Sequence, residues 1–388
     1  MSRAYLLVAL LLAGCATAVP ASVPAPSPRA DAPPSAPPTP GPAPSAPSAP
    51  TATTPADPAA DARAQLERGR QLLARGEPAT AAVALRQALR LQPELIPART
   101  SLGQALYALG DLDGAVEELG GALRRQPDAI DARLALATVL VARQEWPAAR
   151  QELERVLAAE PDRIDARYTL AGVRYAQGDV AGAIDGYRRV LAVEPEQHDA
   201  RFNLALVLKL ARRDAEATPQ FVTAAQAGHA RAQYVAGTAY ADGLGVERNL
   251  ATAVAWWFRA AEQGVAPAAD ALAQLRQTAL GRGRASSAAT RQAAEQAFRD
   301  YRAALWRDFP DLTASGEEPV GAALLRQGRV PEAVTMLIRE ASALSQPAAQ
   351  LLETIYEQGV DTRLPAHDAR ILAYLKVAAS EGLRPPPR

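Results

Sequence analysis

The groups in this chain that could do chemistry are three histidines, one cysteine, a few glycine-rich turns, and ladders of arginine and aromatic residues. His198, His229 and His367 stand far apart, with no ligand at i+4 and no cysteine nearby, so they lack the spacing that holds a metal on one helix face. No residue pair matches a nucleophile beside its base. Gly243-Leu244-Gly245-Val246 has the glycines of a phosphate cradle, yet no strand pattern precedes it and no lysine follows, so it reads as a turn between helices. Cys15 is the only cysteine, which excludes an internal disulfide. Basic and acidic residues number 42 each, a balance that argues against nucleic acid as the main partner. The expectation is a non-catalytic chain with no cofactor, no metal and no small-molecule substrate.

The remaining side chains suit recognition. Arg99, Arg133, Arg167 and Arg201 recur at one spacing, three of them in the triplet Asp-Ala-Arg. Such a ladder either forms a positive stripe for acidic partners or makes salt bridges to acids of the preceding repeat. Only Lys209 and Lys376 are lysines, so arginine abundance partly reflects general usage. The aspartate of the triplet either caps a helix start or favours its positive end. Beside the arginines run Thr100 and Tyr107, Leu134 and Val141, Tyr168 and Tyr175, Phe202 and Lys209. The candidate peptide-binding groove comprises Tyr107, Leu134, Val141, Tyr168, Tyr175 and Phe202 with Arg133, Arg167 and Arg201. Tyrosine offers contact area, a polar tip and little rotamer cost, and packing between repeats is the alternative use of each ring.

What must position these residues is a repeat of 34. Pro93, Pro127, Pro161 and Pro195 follow that step. So do the small residues Gly69, Gly103, Ala137, Ala171 and Ala205; the alanines 81, 115, 149, 183 and 217; and the bulky Leu85, Leu119, Leu153, Tyr187 and Phe221. Gly76, Gly110 and Gly178 mark the turn, where Gln144 and Arg212 depart from glycine. Apolar residues at i, i+3, i+4 and i+7 over two stretches predict two antiparallel helices per unit. Glycine ends the first helix and proline the second. One such pair cannot bury its apolar face alone, so units must stack.

These positions resemble the tetratricopeptide repeat. The resemblance implies an all-α, right-handed α-solenoid in which the first helix of each unit lines the concave face. Some members of that family grip a C-terminal carboxylate with lysines and asparagines on successive first helices. Here Asn203 and Lys209 stand together in the last unit only, so that clamp is not expected.

At the N-terminus, Arg3 precedes an apolar run from Ala4 to Ala13, about half the ~20 residues that span a bilayer. It ends in Leu12-Ala13-Gly14-Cys15, which resembles the lipobox of bacterial lipoproteins. The resemblance implies lipidation of Cys15, and Ala16 in place of an aspartate favours the periplasmic leaflet of the outer membrane. A secretory signal cut near Ala16-Thr17-Ala18 is the alternative. Fifteen of the 32 prolines fall between Ala16 and Asp61 in a Pro/Ala/Ser/Thr segment that cannot bury a core. As an extended tether it could reach on the order of 100 Å.

Past Ala227 the register changes. Ala232-Gln233-Tyr234, Tyr240, Gly243 to Val246, Ala253, Trp256 and Ala260 to Gly264 resemble a Sel1-like repeat, and Ala349-Gln350-Leu351, Tyr356, Gly359, Ala369, Tyr374 and Ala378 to Gly382 a degenerate second one. Between them, Gly281 to Ser286 reads as a joint, Ala288 to Phe309 as one long helix, and Val320 to Ala343 as a helical pair broken at Gly328. Trp256, Trp257 and Phe258 cannot all face inward on one helix, so at least one should reach the surface or a neighbouring repeat.

The expected organisation is a signal peptide over 1–14, a lipid-anchored linker over 15–61 and five tetratricopeptide repeats over 62–228. A Sel1-like repeat follows over 229–282, then a helical region over 283–388 with the degenerate repeat at about 348–384. The expected role is an interaction scaffold for envelope proteins, held on the membrane through Cys15, in a secretion, polysaccharide-export or pilus assembly. A passive spacer, or an envelope enzyme or its regulator, is the alternative.

Overall fold

The computed structural model describes residues 57–282, 287–313, 318–360 and 363–383. Cys15, the lipobox and almost all of the proline-rich segment lie outside them. Among the described residues the regular elements are eighteen α-helices and one 3-10 turn, with no strand. The chain divides into two compact units, 1–193 and 194–388.

The first unit pairs α1 (Pro58–Ala74) with α2 (Pro78–Leu91), α3 (Ile96–Ala108) with α4 (Leu112–Arg125), α5 (Ile130–Ala142) with α6 (Trp146–Ala159), and α7 (Ile164–Ala176) with α8 (Val180–Val193). Helix starts at 96, 130 and 164 keep the 34-residue step read from the sequence. Proline opens α1, α2, α3 and α6, where its missing N–H costs nothing. At the turns Gly76, Gly110 and Gly178 have φ of 75°, 81° and 86°. Gln144 adopts the same left-handed conformation at φ 61°, so the stack dictates the backbone even where the residue disfavours it.

The first two pairs close through a small-on-large contact, Gly69 on Leu85 and Gly103 on Leu119. A Cβ at Gly103 would stand 2.5 Å from Leu119 Cγ, so the backbone of α3 approaches α4 only because that side chain is absent. The apolar residues form successive clusters along the stack, one over α1 to α5 and the next over α5 to α7, with no central core.

The second unit begins with another pair, α9 (His198–Leu210) and α10 (Asp214–Gln226), whose turn residue Arg212 has φ 61°. Then come α11 (Ala230–Asp242), α12 (Leu250–Glu262), α13 (Ala266–Ala279), α14 (Ala288–Leu305) with a 3-10 turn at Trp306–Asp308, α15 (Val320–Arg326), α16 (Val330–Ser342), α17 (Gln346–Gln358) and α18 (Ala369–Ser380). The long helix expected over 288–309 thus tightens in its last turn.

Trp256, Trp257 and Phe258 are all buried, so none of the three stays at the surface. Each is covered differently. Phe258 stacks on Tyr301 of α14 at 4.9 Å, Trp257 presses on Gly237 of α11, and the Arg259 guanidinium lies 5.0 Å from the Trp256 ring.

Candidate peptide groove

The apolar and aromatic positions of the first helices sit one residue away from the groove. A single residue turns a helix by about 100°, enough to move a side chain from an open face into the seam between helices. Tyr168 is 8% exposed and meets Tyr187 of its own second helix edge-on at 5.6 Å. In the second unit Phe202, 7% exposed, meets Phe221 the same way at 5.7 Å and stacks on His229 at 4.5 Å. Val141 is buried. Tyr107, Leu134 and Tyr175 are half-buried, and partial burial raises the Tyr175 hydroxyl pKa above its ordinary value. The aromatic surface expected from Tyr168 and Phe202 is therefore taken up by packing within each repeat. A signal for this was present in the sequence, because the bulky second-helix position changes from leucine to Tyr187 and Phe221 in the same two units that place Tyr168 and Phe202 opposite.

The open face lies one step on, at Pro97, Ser101 and Gln104 of α3 and at Asp131, Ala135 and Thr138 of α5. These residues line a cavity of about 640 Å³ between successive first helices. Of the expected site residues only Leu134 belongs to it.

Its chemistry is polar and leans acidic. Asp128, Asp131, Glu160 and Asp165 stand against Arg70 and Arg163, a lining charge of 2 − 4 = −2. Arg163 ties two repeats together, donating to Glu160 at 2.9 Å, Asp131 at 3.1 Å and Asp165 at 3.1 Å. Those bonds, Glu160 first, hold its pKa above the ordinary guanidinium value, so it is a fixed cation. The Thr100 and Thr138 hydroxyls donate to the carbonyls of Ile96 and Leu134, each at 3.0 Å, which leaves their oxygens as acceptors.

The arginine ladder has a different job from a surface stripe. Arg99 donates to Glu118 at 2.7 Å and to the carbonyl of Pro93 at 3.2 Å. Arg133 repeats both bonds with Glu152, at 2.5 Å, and Pro127. Each arginine thus joins the second helix of its own repeat to the loop that closes the preceding one. Contrary to the expectation of acids from the preceding repeat, Glu118 and Glu152 belong to the arginine's own repeat, because the side chain runs across its own helical pair. Arg201 bonds Gln220 at 3.0 Å and the carbonyl of Pro195 at 2.6 Å; Arg167 bonds only the carbonyl of Pro161. Asp131 and Asp165 lie in the first turns of their helices without capping them, so they act on the positive helix end.

His229 has structural partners, whereas the buried His198 Nδ1 has no hydrogen-bond partner among the described residues. His229 accepts from the Ala232 N–H at 3.0 Å as the cap of α11, and its Nε2 lies 3.3 Å from Asp199. That contact lowers the Asp199 pKa. No group of three or more metal-ligating residues exists among the described residues.

Paired helices at a fixed 34-residue step, closed by small-on-large contacts, define a tetratricopeptide-repeat domain. Residues 53–202 match the family described as the cytochrome c-type biogenesis protein H TPR domain. No curated protein matches the chain. Similar solved structures include MamA (41-end) from Desulfovibrio magneticus RS-1, with 22% identity over 43% of this chain and 94% of that one at a TM-score of 0.40. YrrB, a TPR protein described as having an unusual peptide-binding site, has 23% identity over 49% of this chain and 98% of that one at a TM-score of 0.40. PilF of Pseudomonas aeruginosa has 20% identity over 53% and 93% at 0.47.

Proposed function

We propose that this chain is a non-catalytic interaction scaffold whose groove over α3 and α5 holds an extended segment of a partner protein. The single observation that carries the reading is the groove itself, open and lined by hydroxyl and carboxylate oxygens with a net negative charge. A segment rich in N–H donors, with at least one lysine or arginine, fits that chemistry. The proposal includes an anchor: Cys15 is lipidated and the proline-rich segment holds the repeats away from the periplasmic leaflet of the outer membrane. Sel1-like repeats at 229–282 and about 348–384 belong to it as well. The partners are envelope proteins of a secretion, polysaccharide-export or pilus assembly.

Affinity capture from crosslinked envelope tests the scaffold reading, and recovery of nothing above an unrelated lipoprotein control favours a passive spacer. Cys15→Ser should release the protein from membranes; a mutant still acylated and membrane-bound contradicts the anchor. The family match favours a second reading, a part in the biogenesis of c-type cytochromes. Loss of covalent haem staining in a deletion strain would select it.

A further inference from the structure

The first unit holds a second cavity, of about 290 Å³, lined by Arg167, Arg174, Asp185, Gly186 and Arg189 over the apolar Leu170 and Ala171. It lies where the arginine ladder loses its acid. Nineteen residues after Arg99 and Arg133 stand Glu118 and Glu152, whose carboxylates those arginines hold. Nineteen residues after Arg167 stands Gly186. The one acid of the lining, Asp185, is engaged by Arg189 at 2.8 Å. The Arg174 side chain, two turns along α7 from Arg167, makes no hydrogen bond or ion pair among the described residues, and its Nε is enclosed without an acceptor. An internal acid cannot simply replace the glycine. A Cβ at 186 would stand 2.8 Å from the Ala171 Cβ and 3.4 Å from its Cα, so α7 and α8 meet there too closely for a side chain.

We propose that this pocket binds a carboxylate side chain, glutamate or aspartate, from a partner polypeptide, which takes the place that Glu118 and Glu152 fill in the two preceding repeats. The same arginine position is satisfied by a carboxylate in those repeats, which selects that group over other anions. Three guanidiniums against one engaged acid leave the lining with a charge of 3 − 1 = +2. Guanidinium recognises carboxylate through paired N–H donors and a fixed positive charge. The site rests on the scaffold reading only in that its ligand is carried by a protein, and its charge is opposite to that of the groove.

The test is fluorescence anisotropy of the full chain with a labelled peptide of alternating glutamate and glycine, against the same peptide with glutamine. The glutamate peptide should bind and the glutamine peptide should not. Arg174→Ala and Arg167→Lys should each weaken binding about tenfold or more, the loss expected when one charged hydrogen-bond partner is removed. Arg174→Ala should leave the melting temperature unchanged, because that side chain holds no partner in the fold. Arg133→Lys, whose neighbour Glu152 already fills its site, should leave affinity unchanged. Equal binding of both peptides, no binding of either, or affinity indifferent to Arg174→Ala overturns the inference. Displacement of the peptide by glutarate or inorganic phosphate at equal concentration also overturns it, by assigning the site to a free small anion. The double variant Gln104→Arg/Thr138→Arg should retain glutamate-peptide binding, which keeps failure here distinct from failure of the groove.

Discussion

In the first unit an arginine finds its acid nineteen residues on, inside its own repeat; in the second, Arg276 finds Glu381 across 105 residues. The repeated pairs are largely enclosed: the Arg99 and Glu118 side chains keep 18% and 25% of their exposure, and Arg133 and Glu152 13% each. Arg276 and Glu381, at 9% and 15%, are enclosed about as far as Arg133 and Glu152 but join through two bonds, at 2.6 and 2.5 Å, while Gln277 donates to the Glu381 carbonyl at 3.0 Å. Nearby, the buried Glu340 accepts from the N–H groups of Val320 and Gly321 at 2.7 and 3.0 Å, anchoring the seven-residue α15. Burial raises its carboxyl pKa above the ordinary value even so. The lesson is about redundancy. An array that repeats a modest bond loses one rung when one residue changes, whereas a unit tied by unrepeated, sequence-distant pairs, Arg276 with Glu381 and Arg339 with Glu262, has no second copy of either.

Removing a partner from the doubly bonded pair of Arg276 and Glu381 gives the largest expected effect. Glu381→Ala leaves Arg276 buried without its counter-charge, which typically costs about 3–5 kcal/mol. Urea unfolding should show it, and a loss no greater than that of Glu118→Ala would erase the contrast between the units.

Tyr168→Ala comes next, at about 3 kcal/mol, the low end for truncating a core aromatic because the residue keeps 8% of its exposure. Its melting temperature should fall without change in affinity of the folded fraction. An unchanged melting temperature would return Tyr168 to the candidate binding residues.

Gln144→Gly is the smallest change and should act in the opposite direction. A left-handed non-glycine residue carries a strain of about 1 kcal/mol, so glycine should raise stability by roughly that amount. A drop instead would mean that the Gln144 side chain contributes more than its backbone strain costs.

Much of the first unit was legible because a 34-residue period fixes phase: starts at 130 and 164 follow once the start at 96 is known. The groove was not. Apolar type marks Tyr168 and Phe202 as facing something, yet cannot separate a ligand from the helix opposite, and the difference is one residue of rotation. Small and polar residues such as Ser101, Gln104 and Ala135 give no comparable signal. The arginines were legible as a ladder, but their partners lay within the repeat, and Gly186 became informative only beside Glu118 and Glu152. In the second unit nothing periodic links Arg276 to Glu381, so that pair could not be read from sequence at all.

On the scaffold reading the partner lies over α3 and α5, on the face of Gln104 and Thr138, and not on the aromatic seam. Crosslinked capture with three forms of the full chain tests it: the unchanged protein, Gln104→Arg/Thr138→Arg, and Tyr168→Phe. The double variant puts two cations into an acidic groove while its main cost to the fold is one threonine hydrogen bond. It should lose the envelope proteins that the unchanged chain recovers, at an unchanged melting temperature, and Tyr168→Phe should keep them. Retention by the double variant together with loss by Tyr168→Phe would contradict the account.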